Sequence, residues 1–269
     1  MKMKIILFRT QPVLIVLSVF FLFLSRGSDS CAGIMIDPVI IEESGRPGET
    51  ITGEYKVINS GHEAVTVRIE PIDWFRQYLD KEDTIDVKKW LSLSQKEFTL
   101  EPAQIKKIGY TVSIPEHMEE EQAAQIYFSF RGKSQSESLR TRLGVVFYLG
   151  VEGRSEIDAE LTEFMFDVLP KPEKEKVYDI NFRITVANKS NVHIRPYGTI
   201  TIKQGEKEVI ILQINPEQAI YPEKTDDITA YVKDVPLTPG SYTAAAEIHC
   251  AMYDADKVLR TSKKVVIEE

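Results

Sequence analysis

The sequence predicts an all-β fold of two antiparallel sandwiches in tandem, and three observations carry that reading. Apolar and polar residues alternate with period two in many short segments, the pattern of half-buried strands. Gly, Pro and Asn clusters fall between those segments at regular intervals, where turns are needed. The chain has 269 residues, long for one sandwich and comfortable for two domains of ordinary size. Few stretches could form a helix of ordinary length.

Taken in order, Ile34, Ile36, Val39 and Ile41 give a first strand bent at Pro38, and Gly48 marks the turn out of it. Thr50 to Asn59 alternate, with Ile51, Tyr55 and Val57 on one face, and Asn59-Ser60-Gly61-His62 turns the chain into Val65, Val67 and Ile69. Phe75 to Lys89 is charged and irregular, a long loop or a short helix crossing an edge. Trp90 to Leu93, Phe98 to Pro102, Ile105 to Ile114 and Ala124 to Phe130 resume the alternation, and Gly132 to Ser138 is a polar hairpin tip. Leu143 to Val151 is nearly continuous in apolar residues, as a strand covered on both faces reads.

Gly153-Arg154-Ser155 is the shortest hinge available, and the theme then repeats. Strands are expected over Ile157–Phe166, Tyr178–Ala187, Ile194–Ile202, Val209–Ile214, Ile228–Val232, Tyr242–Met252 and Val258–Ile267. Asn188 to Asn191, Gln204-Gly205-Glu206 and Pro239-Gly240 are turns between them. Many short strands at even spacing argue for immunoglobulin-like sandwiches, one over residues 33–153 and one over 154–269.

Residues 1–32 read as a signal peptide. Lys2, Lys4 and Arg9 precede an apolar run from Val13 to Leu24, and Ser30-Cys31-Ala32 offers a small-residue cleavage site. The run is shorter than the roughly 20 apolar residues a spanning helix needs, so contact with the membrane is expected only through this segment before cleavage; an uncleaved anchor is the other reading. The protein is then exported, to a periplasm or to the cell envelope or surface. Losing Lys2, Lys4, Arg9 and Arg26 with Asp29 takes the formal charge from −8 to −11. A chain that acidic repels phosphate backbones, which argues against nucleic-acid binding. Without Cys31, Cys250 has no intrachain partner and reads as a small buried apolar residue.

The sequence offers no chemistry of its own. His62, His117, His193 and His249 lack metal-ligand spacing and read as turn or surface residues. The carboxylates at Asp80 to Asp86, at Glu116 to Glu121 and at Asp254 and Asp256 lack the calcium-loop pattern and read as solvated faces. No Gly-x-Ser-x-Gly, Ser-x-x-Lys, His-Glu-x-x-His or Gly-rich phosphate loop occurs. The expectation is therefore a non-enzymatic protein without cofactor or metal. What remains is backbone, since a sandwich edge offers unpaired N–H and C=O groups to an incoming strand. The apolar strands Ile34–Ile41 and Leu143–Val151 are expected to bracket a groove, with Val39, Ile41, Val145, Phe147 and Leu149 pairing with a partner strand and forming its pockets. The bland alternative is that both strands simply close the core.

A family resemblance meets this expectation. Val57-Ile58-Asn59, Trp74, Phe98-Thr99-Leu100-Glu101-Pro102, Ile114-Pro115 with acidic residues after it, and Val145-Val146-Phe147-Tyr148 occur in an order that resembles the N-terminal domain of the PapD-like periplasmic pilus chaperones. That resemblance implies a chaperone-like role in assembling pili or surface proteins, with an exported subunit as the partner. In that family basic residues hold the subunit's terminal carboxylate, and the matching positions here are Val39 or Ile40, and Val145. Val186 to Pro196 and Leu237 to Thr243 resemble immunoglobulin-like modules of bacterial surface proteins, including those that bind WxL-type wall proteins. This implies an alternative, an envelope or adhesion scaffold binding a wall polymer or a surface protein.

Overall fold

The computed structural model describes residues 33–268 except 81, 83, 133–140 and 216–217. The expected signal peptide, Cys31 and most of the expected hairpin tip lie outside the described residues. The fold is all-β. The first apolar segment is two strands rather than one. β1 (Ile34–Asp37) pairs antiparallel with β3 (Thr50–Asn59), whereas β2 (Ile40–Gly45) pairs parallel with β9 (Thr141–Val151), in the other sheet. Pro38, after a cis peptide bond, separates them, since proline has no N–H with which to continue the β1 ladder.

Between β3 and β9 run β4 (Val65–Asp73), a short helix α1 (Trp74–Leu79), a 3-10 turn (Val87–Lys89), β5 (Leu91–Leu93), β6 (Glu97–Leu100), β7 (Ile105–Ser113) and β8 (Gln122–Gly132). The charged stretch after Trp74 thus supplies one short helix, capped by the Asp73 carboxylate accepting from the Arg76 N–H at 3.1 Å. The sheets are ordered β1-β3-β7-β5 and β2-β9-β8-β4-β6. Their inner faces bury Tyr55, Val57, Val67, Ile126, Phe128, Val145, Phe147 and Leu149 in one core.

The second sandwich holds β10 (Ala159–Pro170), β11 (Val177–Asn188), β12 (Tyr197–Gln204), β13 (Lys207–Ile214), β14 (Thr225–Pro236), β15 (Gly240–Met252) and β16 (Ala255–Ile267). Its sheets are β10-β11-β14 and β13-β12-β15-β16, around a separate core that includes Phe182, Ile184, Ile200, Ile248 and Cys250. Strand β12 starts later than the alternation suggests. Ile194 makes only an isolated bridge, to Ile220, because Pro196 interrupts the ladder.

The two sandwiches close equivalent corners with the same device. Asn59 Nδ2 donates to the carbonyls of Glu63, Leu100 and Glu101, and its Oδ1 accepts from the Gly61 N–H. Asn188 Nδ2 donates to those of Val192 and Ile220, and its Oδ1 accepts from the Ser190 N–H. Both side chains are buried, so each carries backbone groups that have no water to turn to. Tyr242 adds a corner of its own, its hydroxyl donating to the Thr238 carbonyl at 2.8 Å. Asn188→Ala leaves the Val192 carbonyl and the Ser190 N–H without their buried partner, while the Ile220 carbonyl keeps the Ile194 N–H, and we expect it to destabilise the second sandwich by about 2–3 kcal/mol, read from the urea midpoint by near-ultraviolet circular dichroism.

Candidate functional site: the cleft between the sandwiches

Strand β9 is the axis of the site. Its odd-numbered side chains face the core of the first sandwich and its even-numbered ones face outward, as the two-residue period requires. On one side it pairs with β8 over Thr141–Leu149. On the other, β2 covers only Val146–Val151. Residues Thr141–Val145 therefore have no second neighbour among the described residues. The Val146 N–H donates to the Val39 carbonyl at 3.1 Å, so the even residues direct their backbone groups to this side, and those of Arg142 and Gly144 face the uncovered rim.

The residues expected to meet a partner divide on these facts. Val145, Phe147 and Leu149 have no exposed surface, and Ile41 is buried beside them in the same core. Their side chains fill the protein's own interior rather than a partner's pockets. An apolar run reads alike for a rim strand and for a strand flanked on both sides, and β9 is flanked from Val146 onward. Strands β2 and β9 also do not bracket a groove: they pair with each other. Val39 alone of the five is exposed, at 57%, and Ile40 beside it is 41% exposed. Both sit where β2 gives out and the rim begins.

The outward face of β2, β8 and β9 meets the second sandwich across a buried polar joint. His193 is wholly buried, against the expectation of a turn or surface residue, and Glu121 is 1% exposed although it ends an acidic run. His193 Nδ1 lies 2.8 Å from Glu121 Oε1, and its backbone N–H donates to Oε2 at 2.9 Å. Nε2 lies 3.2 Å from Glu42 Oε1 on β2, which also accepts from Arg195 Nε at 2.5 Å. The Tyr253 hydroxyl, in the β15–β16 turn, donates to Glu121 Oε1 at 2.6 Å. The Tyr148 ring on β9 stacks on the imidazole with centroids 3.9 Å apart.

Burial pulls the His193 pKa down, but the charges and hydrogen bonds of Glu121 and Glu42 outweigh it and hold the pKa above the ordinary histidine value. Burial pushes the Glu42 carboxyl up, and the hydrogen bonds from His193 and Arg195 outweigh that and leave it lowered. Two carboxylates thus face two cationic groups, Glu121 and His193 fully buried and Glu42 and Arg195 at the edge, where solvent reaches them.

Aromatic side chains flank the ion cluster. The Tyr148 and Tyr221 hydroxyls are 2.9 Å apart, and Trp74 Nε1 donates to Tyr221 at 3.1 Å. Phe75 of α1 meets the Tyr221 ring edge-on. At Gly150 a Cβ would lie 2.5 Å from the Tyr253 ring, so only glycine permits this approach. The link between the sandwiches is pinned rather than loose. Gly153 turns it at φ 72°, Arg154 Nη1 donates to the Met118 carbonyl at 2.9 Å, and the Asn191 side chain bonds the Arg154 carbonyl and the Glu156 N–H.

Nothing in the sequence pairs Glu42 and Glu121 with His193, because the contacts span 151 and 72 residues. The one available signal is that His193 precedes Ile194-Arg195-Pro196, a break between alternating segments where a buried irregular residue can sit. Removing one member of a buried ion pair leaves the other uncompensated, at a cost of about 3–5 kcal/mol. We expect Glu121→Ala to lower stability by that amount, measured by denaturant unfolding of the full chain.

No protein-family model matches the chain, and no curated protein matches it. Solved structures do. It is similar to the Pseudomonas aeruginosa CupB2 chaperone at 8% identity, over 84% of this chain and 98% of that one, with a TM-score of 0.43. The E. coli chaperone DraB matches at 12% identity over 88% and 98% of the two chains, TM-score 0.41. The Salmonella enterica SafA pilin–SafB chaperone complex matches at 9% identity over 89% and 99%, TM-score 0.42.

Proposed function

We propose that this is an exported, non-enzymatic, chaperone-like protein that captures a protein partner by β-strand addition on the first sandwich. The observation that carries the reading is the half-covered strand β9. Residues Thr141–Val145 are held in a sheet by β8, but their outer side is unpaired among the described residues. A rim of this kind supplies aligned donors and acceptors to an extended segment. An incoming strand would take the row that β2 occupies further along and would abut Val39 and Ile40, whose exposed apolar side chains end that row.

The site so proposed moves from the side chains of Val145, Phe147 and Leu149 to the outward backbone of Arg142 and Gly144. Val145 keeps a part in it, as the core anchor that fixes the rim's register against Ile126. The partner is proposed to be an exported subunit or a surface protein.

The test separates backbone from side chain. A photo-crosslinker at Ile40 is expected to capture a partner in the intact envelope. Arg142→Pro removes an outward N–H while sparing the β8 ladder, and should lower capture at least tenfold with an unchanged circular dichroism spectrum. Arg142→Ala should retain capture. Equal capture by the proline variant overturns strand addition and favours the scaffold alternative, in which the edges stay unused.

A further inference from the structure

We infer that His193 is a proton-operated latch between the two sandwiches: protonated, it holds the second sandwich against the outward face of β2 and β9, and release of that single proton frees it.

The argument begins with what faces the imidazole. From β2 comes Glu42, from the segment entering β8 comes Glu121, and from β9 comes the Tyr148 ring. From the second sandwich come Tyr253, edge-on to the imidazole, and Arg195 on His193's own segment. The Tyr253 hydroxyl is held well above its ordinary pKa by burial and by Glu121, so it stays protonated in the range where imidazole titrates. Arg195 stays charged throughout. His193 is thus the group in this enclosure whose charge changes near neutrality.

Protonated, the enclosure holds His193 and Arg195 against Glu42 and Glu121, and the charges balance. Once the proton leaves, the buried Glu121 carboxylate loses its cationic partner while Glu42 keeps Arg195, and imidazole can no longer donate from both nitrogens to the two carboxylates. Both of those carboxylates belong to the first sandwich and the imidazole to the second, so the loss falls on the joint and not on either core. Stacking on Tyr148 also favours the cationic ring.

The sign follows from linkage. A histidine whose folded pKa is raised contributes stability in full below its ordinary value near 6.5, and the contribution is lost as pH rises through the folded value. Glu42, whose carboxyl is lowered, sets the acid side: its share is present above the ordinary carboxylate range and is lost as pH falls through its folded value. The joint is therefore closed between those limits and opens on the alkaline side. One proton is released, so the ratio of joined to separated forms falls by up to about tenfold per pH unit between the ordinary histidine value and the raised value in the joint, and levels off above it.

The test uses the full chain and no partner, so its outcome is independent of strand capture. Small-angle scattering from pH 5.5 to 9.5 reports separation, and the NMR shift of the His193 Cε1–H reports its titration. The radius of gyration is expected to rise with the same midpoint as the imidazole. Glu42→Gln, at a partly exposed side chain, should move both midpoints to lower pH, and His193→Gln should be separated at every pH. A constant radius while His193 titrates overturns the latch. So does a midpoint unmoved in Glu42→Gln, or an imidazole that does not titrate in this range.

Discussion

The parallel pairing of β2 with β9 is the constraint from which the rest follows. It needs the chain to leave one sheet at Asp37 and enter the other at Ile40, and Pro38 between them marks that change. Its length decides where the first sandwich is sealed and where it is open. Six residue pairs, Ile40↔Val146 to Gly45↔Val151, cover one end of β9 and leave the other end bare. The same pairing brings Glu42 beside Tyr148 on the outward face, and that pair of residues receives His193 and Arg195. The rim and the joint are two ends of one strand contact.

The joint is chemically unlike the cores it connects. Each core is apolar, whereas the contact between them combines ions, hydroxyls and stacked rings with a small apolar cluster of Phe75, Ala123, Tyr148 and Tyr221. Hydrophobic burial is non-directional and tolerates sliding. Bonds from an imidazole to two carboxylates fix both distance and angle, so they set one relation between the bodies. Such an interface is costly to desolvate and contributes orientation more than net stability.

Much of the fold was legible because sandwich strands announce themselves locally. Alternation and turn residues locate nearly every strand, and Asn59 and Asn188 stand at the corners where the turn signals place them. The order of strands within the sheets was not legible. The run Leu143–Val151 looks the same whether its flank is bare or covered, and only the pairing with β2 decides it. The proline-bent first strand hid a change of sheet for the same reason, since each half alternates correctly on its own. The ion cluster was invisible: Glu121 looks like the end of an exposed acidic run, and His193 like a turn residue. Charged residues are exposed by default, and no local pattern marks the ones that meet a distant partner.

Cys250 carries a last consequence. It sits in the second core with no exposed surface, free of any disulfide among the described residues, and burial raises its thiol to about 11. A thiol so shielded is a poor nucleophile. Among the described residues the fold therefore offers nothing for the redox poise of its surroundings to act on at this position: oxidants find no thiolate there to trap, and reductants find no crosslink there to cut.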